Sequence, residues 1–222
     1  MSSNLLQIFE RLHTAFGPQQ WWPGESPLEV MVGAVLMQNT AWTNVERAIE
    51  NLRDAGLVSP EALYALSEKE LSELIRPAGY YHVKARRLRT LLRLVIEEYD
   101  GSLDAMFATD LATLREQLLG VSGIGPETAD AILLYAANKP TFVVDTYTHR
   151  ILARHGWIGY DADYHEIKDH FEISLPPDER LYNEYHALLV RLGKEFCRKT
   201  SPKCEACPLA DLLPASGIVA PF

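Results

Sequence analysis

The 222-residue chain lacks any apolar run near the roughly 18 residues a bilayer span requires; one of the longest, Val30-Met31-Val32-Gly33-Ala34-Val35-Leu36-Met37, stops far short. No membrane partner is expected. Alternating apolar and polar runs are missing too, apart from the short Thr141-Phe142-Val143-Val144. Apolar residues otherwise recur at helical spacing, so the expected class is all-α. Cysteine is scarce, and Cys197, Cys204 and Cys207 are the only three. An odd, tightly clustered set argues against a disulfide framework and for metal or cluster chemistry in a reducing compartment. Met1-Ser2-Ser3-Asn4 has no cationic flank before an apolar stretch, so a cytoplasmic location is expected.

Excess positive charge is absent as well. A formal net charge of −9 counts against a nucleic-acid binder, because phosphate neutralisation supplies most non-specific affinity. Local distribution qualifies this. Residues 82–94 carry Lys84, Arg86, Arg87, Arg89 and Arg93 with no acid, and residues 191–203 carry five bases against one acid. Any nucleic-acid face is therefore expected to be a confined basic strip with salt-sensitive binding.

Periodicity predicts helices over 5–16, 28–38, 84–99 and 128–137, with Leu111, Leu114 and Leu118 marking another and a Ser67/Glu70 capping box opening a short one. The segment Val121-Ser122-Gly123-Ile124-Gly125-Pro126-Glu127-Thr128 places a tight Gly-Ile-Gly turn between two helical patterns. Glycine tolerates positive φ and lets another backbone approach, so such a turn can present N–H groups to a phosphate. On its own it reads equally well as an ordinary helix–helix turn. Asp145 follows eighteen residues after Glu127, at the end of Val143-Val144. An aspartate there could cap the next helix, serve as a catalytic carboxylate, or do both.

Together these residues resemble the helix-hairpin-helix plus Gly/Pro-Asp signature of the endonuclease III superfamily of DNA glycosylases, over nearly the whole chain. The resemblance implies two helical lobes. Residues 27–138 would form a six-helix barrel lobe holding the hairpin. Residues 1–26 and 139–222 would pack as a second lobe of N-terminal and C-terminal helices, with the damaged base received in the groove between them. It implies that Gly123, Ile124 and Gly125 hold a DNA phosphate, that Gln38 plugs the gap left by an extruded base, and that Asp145 is catalytic. Its partner would be double-stranded DNA containing a damaged base, bound by a monomer.

The chain departs from the strand-cleaving relatives at Glu127, which stands where they carry a Schiff-base lysine. A monofunctional glycosylase is therefore expected. Trp21, Trp22, Pro23 and Trp42 occupy the segments that line the base pocket in the family. Tryptophans are usually core residues, but an indole face also attracts a cation such as an alkylated purine. These features, with Lys194 on a late helix, are similar to the 3-methyladenine branch of the endonuclease III type. Endonuclease III-like mismatch or oxidised-base glycosylases, and a non-catalytic DNA-binding module, are the alternatives. Tyr147 takes a position where several relatives have histidine.

Cys197, Cys204 and Cys207 have the C-x6-C-x2-C spacing of the family's iron–sulfur loop, but Leu213 stands where the fourth cysteine belongs. Four thiolates are the usual ligand set for a [4Fe–4S] cluster. Either another group or water completes an iron–sulfur cluster, or a three-iron or zinc site replaces it, or the loop is a relic; the expectation leans to a labile iron–sulfur cluster.

Overall fold

The computed structural model describes residues 5–19, 21 and 24–219. Its helices in chain order are α1 (Leu5–Phe16), α2 (Pro27–Leu36), α3 (Trp42–Asp54), α4 (Pro60–Ala65), α5 (Glu68–Leu74), α6 (Tyr81–Tyr99), α7 (Leu103–Ala108), α8 (Leu111–Gly120), α9 (Pro126–Ala131), α10 (Thr146–Arg154), α11 (Tyr164–Ser174) and α12 (Glu179–Glu195). No strand occurs among the described residues, so the class is all-α as expected. None of these helices is long and apolar enough to cross a membrane. The chain divides into two compact units, Trp22–Lys139 and Met1–Trp21 with Pro140–Phe222.

In the unit 22–139, α2 is buried on nearly every side, from Leu28 through Leu36. A helix apolar all round belongs in a core, and α3, α6, α9 and residues 132–136 pack against it. Ser26 caps it by accepting from Glu29 N, with Pro27 preset in the first turn. That cap starts α2 one residue earlier than periodicity predicts. Its end comes at Leu36, because the chain turns through Met37 and Asn39, the latter at a left-handed φ of 55°. The Ser67/Glu70 capping box is present, with both reciprocal bonds made.

Helix α6 begins at Tyr81, three residues before the predicted start. Tyr80 precedes it in the left-handed region. Its buried face includes Lys84, whose ammonium donates to Leu36 O and Ala78 O, both at 2.8 Å. Those carbonyls belong to the ends of α2 and of the turn Arg76–Ala78, where helical acceptors lack a partner. The helix predicted over 128–137 begins instead at Pro126 and passes into a π-helical segment, Ile132–Ala136.

The other unit has an aromatic core. Phe142 and Phe171 stack with centroids 3.8 Å apart, and Tyr182 and Tyr185 meet Phe142 edge-on. The Tyr185 hydroxyl donates to Leu5 O at 2.9 Å and so ties α1 to α12. The run 141–144 is buried but pairs with no strand. Glu172 of α11 replaces a ladder there: its Oε1 accepts from Phe142 N at 2.7 Å and from Lys168 Nζ at 2.5 Å. This buried run leads directly into Asp145 and α10.

Candidate active site

The Gly-Ile-Gly turn joins α8 to α9. Gly123 has φ +90°, and a Cβ there would lie 2.4 Å from Cγ of Arg87, so only glycine fits beneath that side chain. Ile124 is buried and anchors the turn, while Gly123 and Gly125 are exposed. The flanking helices are locked by Arg115 of α8, whose guanidinium grips the wholly buried Asp130 of α9 through two bonds of 2.8 and 3.1 Å. Gln38 is fastened to the same turn. Its amide donates to Gly123 O at 3.2 Å and to Thr128 Oγ1 at 3.0 Å, and its carbonyl oxygen accepts from Arg87 Nη1.

Asp145 is the N-cap of α10. Its Oδ1 accepts from Thr148 N at 2.7 Å and from Thr148 Oγ1 at 2.9 Å. Its second oxygen, Oδ2, faces Nε2 of His186 on α12 at 3.6 Å. Burial pushes this carboxyl up; the histidine and the two Thr148 donors pull it down, and the balance holds Asp145 below the usual aspartate value. It is thus kept as a carboxylate. The cap uses only Oδ1, and Oδ2 is left facing His186.

Around that carboxylate, α10 packs on α12. A Cβ on Gly193 would lie 2.4 Å from Tyr147, so the missing side chain on α12 is what lets the phenol ring rest there. Arg150 also lies over the Tyr147 ring, 5.0 Å from its centroid, and donates to Gly193 O at 3.2 Å. The next residue, Lys194, carries its ammonium 5.6 Å from the ring centre of half-buried Trp21. Asp145, Tyr147, Lys194 and Trp21 all belong to the same unit. Trp42 opens α3 in the other unit, and its indole N–H donates to Glu46 at 2.6 Å. Trp22 and Pro23 lie outside the described residues.

Two residues, His186 and Tyr80, have no place among the sequence expectations. His186 sits seven positions before Gly193, on the same face of α12, so helical spacing from the glycine could have found it. Tyr80 is 74% exposed, left-handed, and directly precedes α6. The adjacent Gly79 at φ +67° is the only sequence sign of that kink. Arg87 is expected only as one of the basic strip, and its bond to Gln38 is not. The expected basic strip is largely spent: Arg86 pairs with Glu68 at 3.3 Å, Arg93 with Glu97 at 3.9 Å, and Arg89 donates to Tyr64 O at 3.1 Å.

Cys197, Cys204 and Cys207 are reduced, and burial together with the other two thiols pushes the Cys207 thiol up. Leu213 offers no ligand at the fourth place. Among the described residues no group of three or more His, Cys, Asp or Glu side chains is arranged to hold a metal ion. The loop therefore does not fit a four-thiolate cluster. It is secured by protein contacts, with Arg154 donating to Arg198 O at 2.7 Å and Arg11 gripping Asp211 at 2.5 and 2.7 Å.

A family model described as HhH-GPD superfamily base excision DNA repair protein matches residues 32–177. The chain is 47% identical over 209 residues to a Methanocaldococcus jannaschii protein named as a DNA repair glycosylase, covering 93% of this chain and 94% of that one. It is similar to the crystal structure of the H. pylori 3-methyladenine DNA glycosylase bound to 1,N6-ethenoadenine, with TM-score 0.75, 29% identity, and 86% and 97% of the two chains covered. A trapped endonuclease III–DNA covalent intermediate shares the fold at TM-score 0.81 and 24% identity, covering 96% of each chain.

Proposed function

The chain belongs to the HhH-GPD superfamily of base excision DNA repair proteins, and from that premise we propose that it is a monofunctional glycosylase releasing alkylated purines such as 3-methyladenine from double-stranded DNA. The bond between sugar C1′ and the base nitrogen breaks, and its electron pair leaves with the base. An alkylated purine is already cationic, so it departs neutral and needs no general acid. Positive charge develops on the sugar, and the Asp145 carboxylate stabilises it. Water then adds to C1′ and gives up a proton, through Asp145, to solvent. The products are a free base and an abasic site.

The observation that carries the substrate reading is the Lys194 ammonium over the Trp21 ring, in the same unit as Asp145. The contact marks the indole as a cation-attracting surface, and the charged purine would take that face in place of the ammonium. Glu127, exposed in the first turn of α9, has no amine with which to form an imine, which supports hydrolysis without strand cleavage. Gly123, Ile124 and Gly125 are assigned to a DNA phosphate, and Gln38 to the gap left by the extruded base. The three cysteines receive no part in base release.

The test is a comparison of base release from methylated, mismatched and oxidised duplexes under single-turnover conditions. Release of 3-methyladenine far above the other substrates supports the proposal. Preferential release from a mismatch or an oxidised base would replace it with the corresponding endonuclease III-like activity.

A further inference from the structure

Among the bases of α6, Arg87 alone gives its guanidinium to a neutral side chain beside the hairpin. It makes no ion pair among the described residues. Its Nη1 donates to Gln38 Oε1, and its Cγ, Cδ and Nε lie across Gly123, within 2.4 to 2.7 Å of where a Cβ would be. Gln38 has both ends of its amide occupied, the oxygen by Arg87 and the nitrogen by Gly123 O and Thr128 Oγ1. The three elements α2, α6 and the hairpin thus close on one carboxamide.

A guanidinium has five N–H donors and a permanent charge. Bound to an amide, it keeps the charge uncompensated and most donors free. Lys84, one turn earlier on α6, feels this charge, which adds to burial in lowering its pKa to about 8. An anion that can take a fork of N–H groups complements this guanidinium, and a DNA phosphate at the hairpin is such an anion.

We infer that Arg87 is a phosphate-binding residue that exchanges partners: it holds Gln38 on the hairpin in the free protein, and hands that amide over when it takes a DNA phosphate. The exchange rests on the reading above that DNA meets the Gly-Ile-Gly turn. It gives a physical reason for a half-buried, fully bonded Gln38 to become available to the duplex only when DNA is present. Arg87 acts here through Gln38 and is a positioning residue for base release.

The experiment measures binding of an undamaged duplex across a salt series, for the intact protein, Arg87→Met, Gln38→Ala and the double variant. Arg87→Met is expected to weaken binding roughly tenfold at low salt and to lower the slope of log K against log salt by about 0.9, the signature of one lost phosphate contact. In the Gln38→Ala background Arg87 no longer gives up an amide partner to reach phosphate. The Arg87→Met penalty should therefore be larger there than in the intact protein. An unchanged salt slope, or the same penalty in both backgrounds, would overturn the exchange. Arg87→Gln provides a second variant with the same expected readings should the methionine variant fail to fold. No base is released in this assay, so a protein without glycosylase activity would refute the proposed function and leave the exchange standing.

Discussion

Asp145 Oδ2 lies 3.6 Å from His186 Nε2, while its other oxygen is fully engaged in capping α10 through Thr148. The carboxylate therefore has one oxygen bound to the helix it caps and one facing His186. Burial opposes its charge, and His186 together with the two Thr148 donors outweighs that opposition. Replacing His186 by leucine removes the largest favourable influence and leaves the desolvation, so the Asp145 pKa should rise. In the intact protein the depressed carboxyl contributes stability that is complete above the ordinary aspartate range and is lost as pH falls through the folded value. His186→Leu should shift the acid limb of single-turnover base release to higher pH and bring acid unfolding forward. Coincident limbs in the two proteins would show that the histidine does not hold the charge.

Glu127 predicts an outcome in trapping experiments. Borohydride with damaged DNA at full turnover should leave no covalent adduct with the intact protein. Glu127→Lys places an amine where the strand-cleaving relatives carry one, and a trapped adduct is expected from it. Adduct formation by the unaltered protein would mean another amine attacks the sugar.

The Arg115–Asp130 pair fixes the hairpin helices. Asp130 is completely buried, so Arg115→Met takes a two-bond guanidinium partner from a buried carboxylate and should cost about 3–5 kcal/mol in urea unfolding. A loss below about 1 kcal/mol would show that the pair is dispensable to the hairpin.

Lys84 gives a pH dependence of opposite sign to a surface lysine in a salt bridge. Burial, then the charge of Arg87, lowers its pKa from 10.5 to about 8. Between those values the unfolded chain holds a proton that the folded chain has released, so this group's contribution to stability rises with pH across the window. The difference between the intact protein and Lys84→Met isolates it from Cys207, which burial pushes upward. At neutral pH the methionine variant should still be less stable, because Leu36 O and Ala78 O lose their donor. A difference curve flat from pH 7 to 10.5 would contradict the assignment.

Much of the fold was legible because helical periodicity and caps are local: the Ser67/Glu70 box and the starts of α1 and α8 need no tertiary information. The boundaries that moved are governed by backbone states no periodicity encodes, the left-handed Tyr80 before α6 and the left-handed Asn39 after α2. The extended run at 141–144 reads as a strand from its β-branched residues. Its backbone partner is instead the Glu172 side chain, a contact thirty residues away. At the site, Asp145, the Gly-Ile-Gly turn, Lys194 and Trp21 could each be named as candidates from the family resemblance, without the approach of Lys194 to Trp21. The approach of His186 to Asp145 and the Arg87–Gln38 bond could not, because they depend on how α12 packs on α10 and how α6 meets the turn. The basic strip shows the converse: charge counted along a chain overstates a field when Glu68 and Glu97 face the arginines.

The most direct test of the central claim is mass-spectrometric identification of bases released from alkylated genomic DNA by the intact protein and by Asp145→Asn. The account predicts free 3-methyladenine from the intact protein, and at least about a hundredfold slower release from the asparagine variant with duplex binding retained. Absence of any alkylated purine from the intact protein's products, or equal release by both proteins, would contradict it.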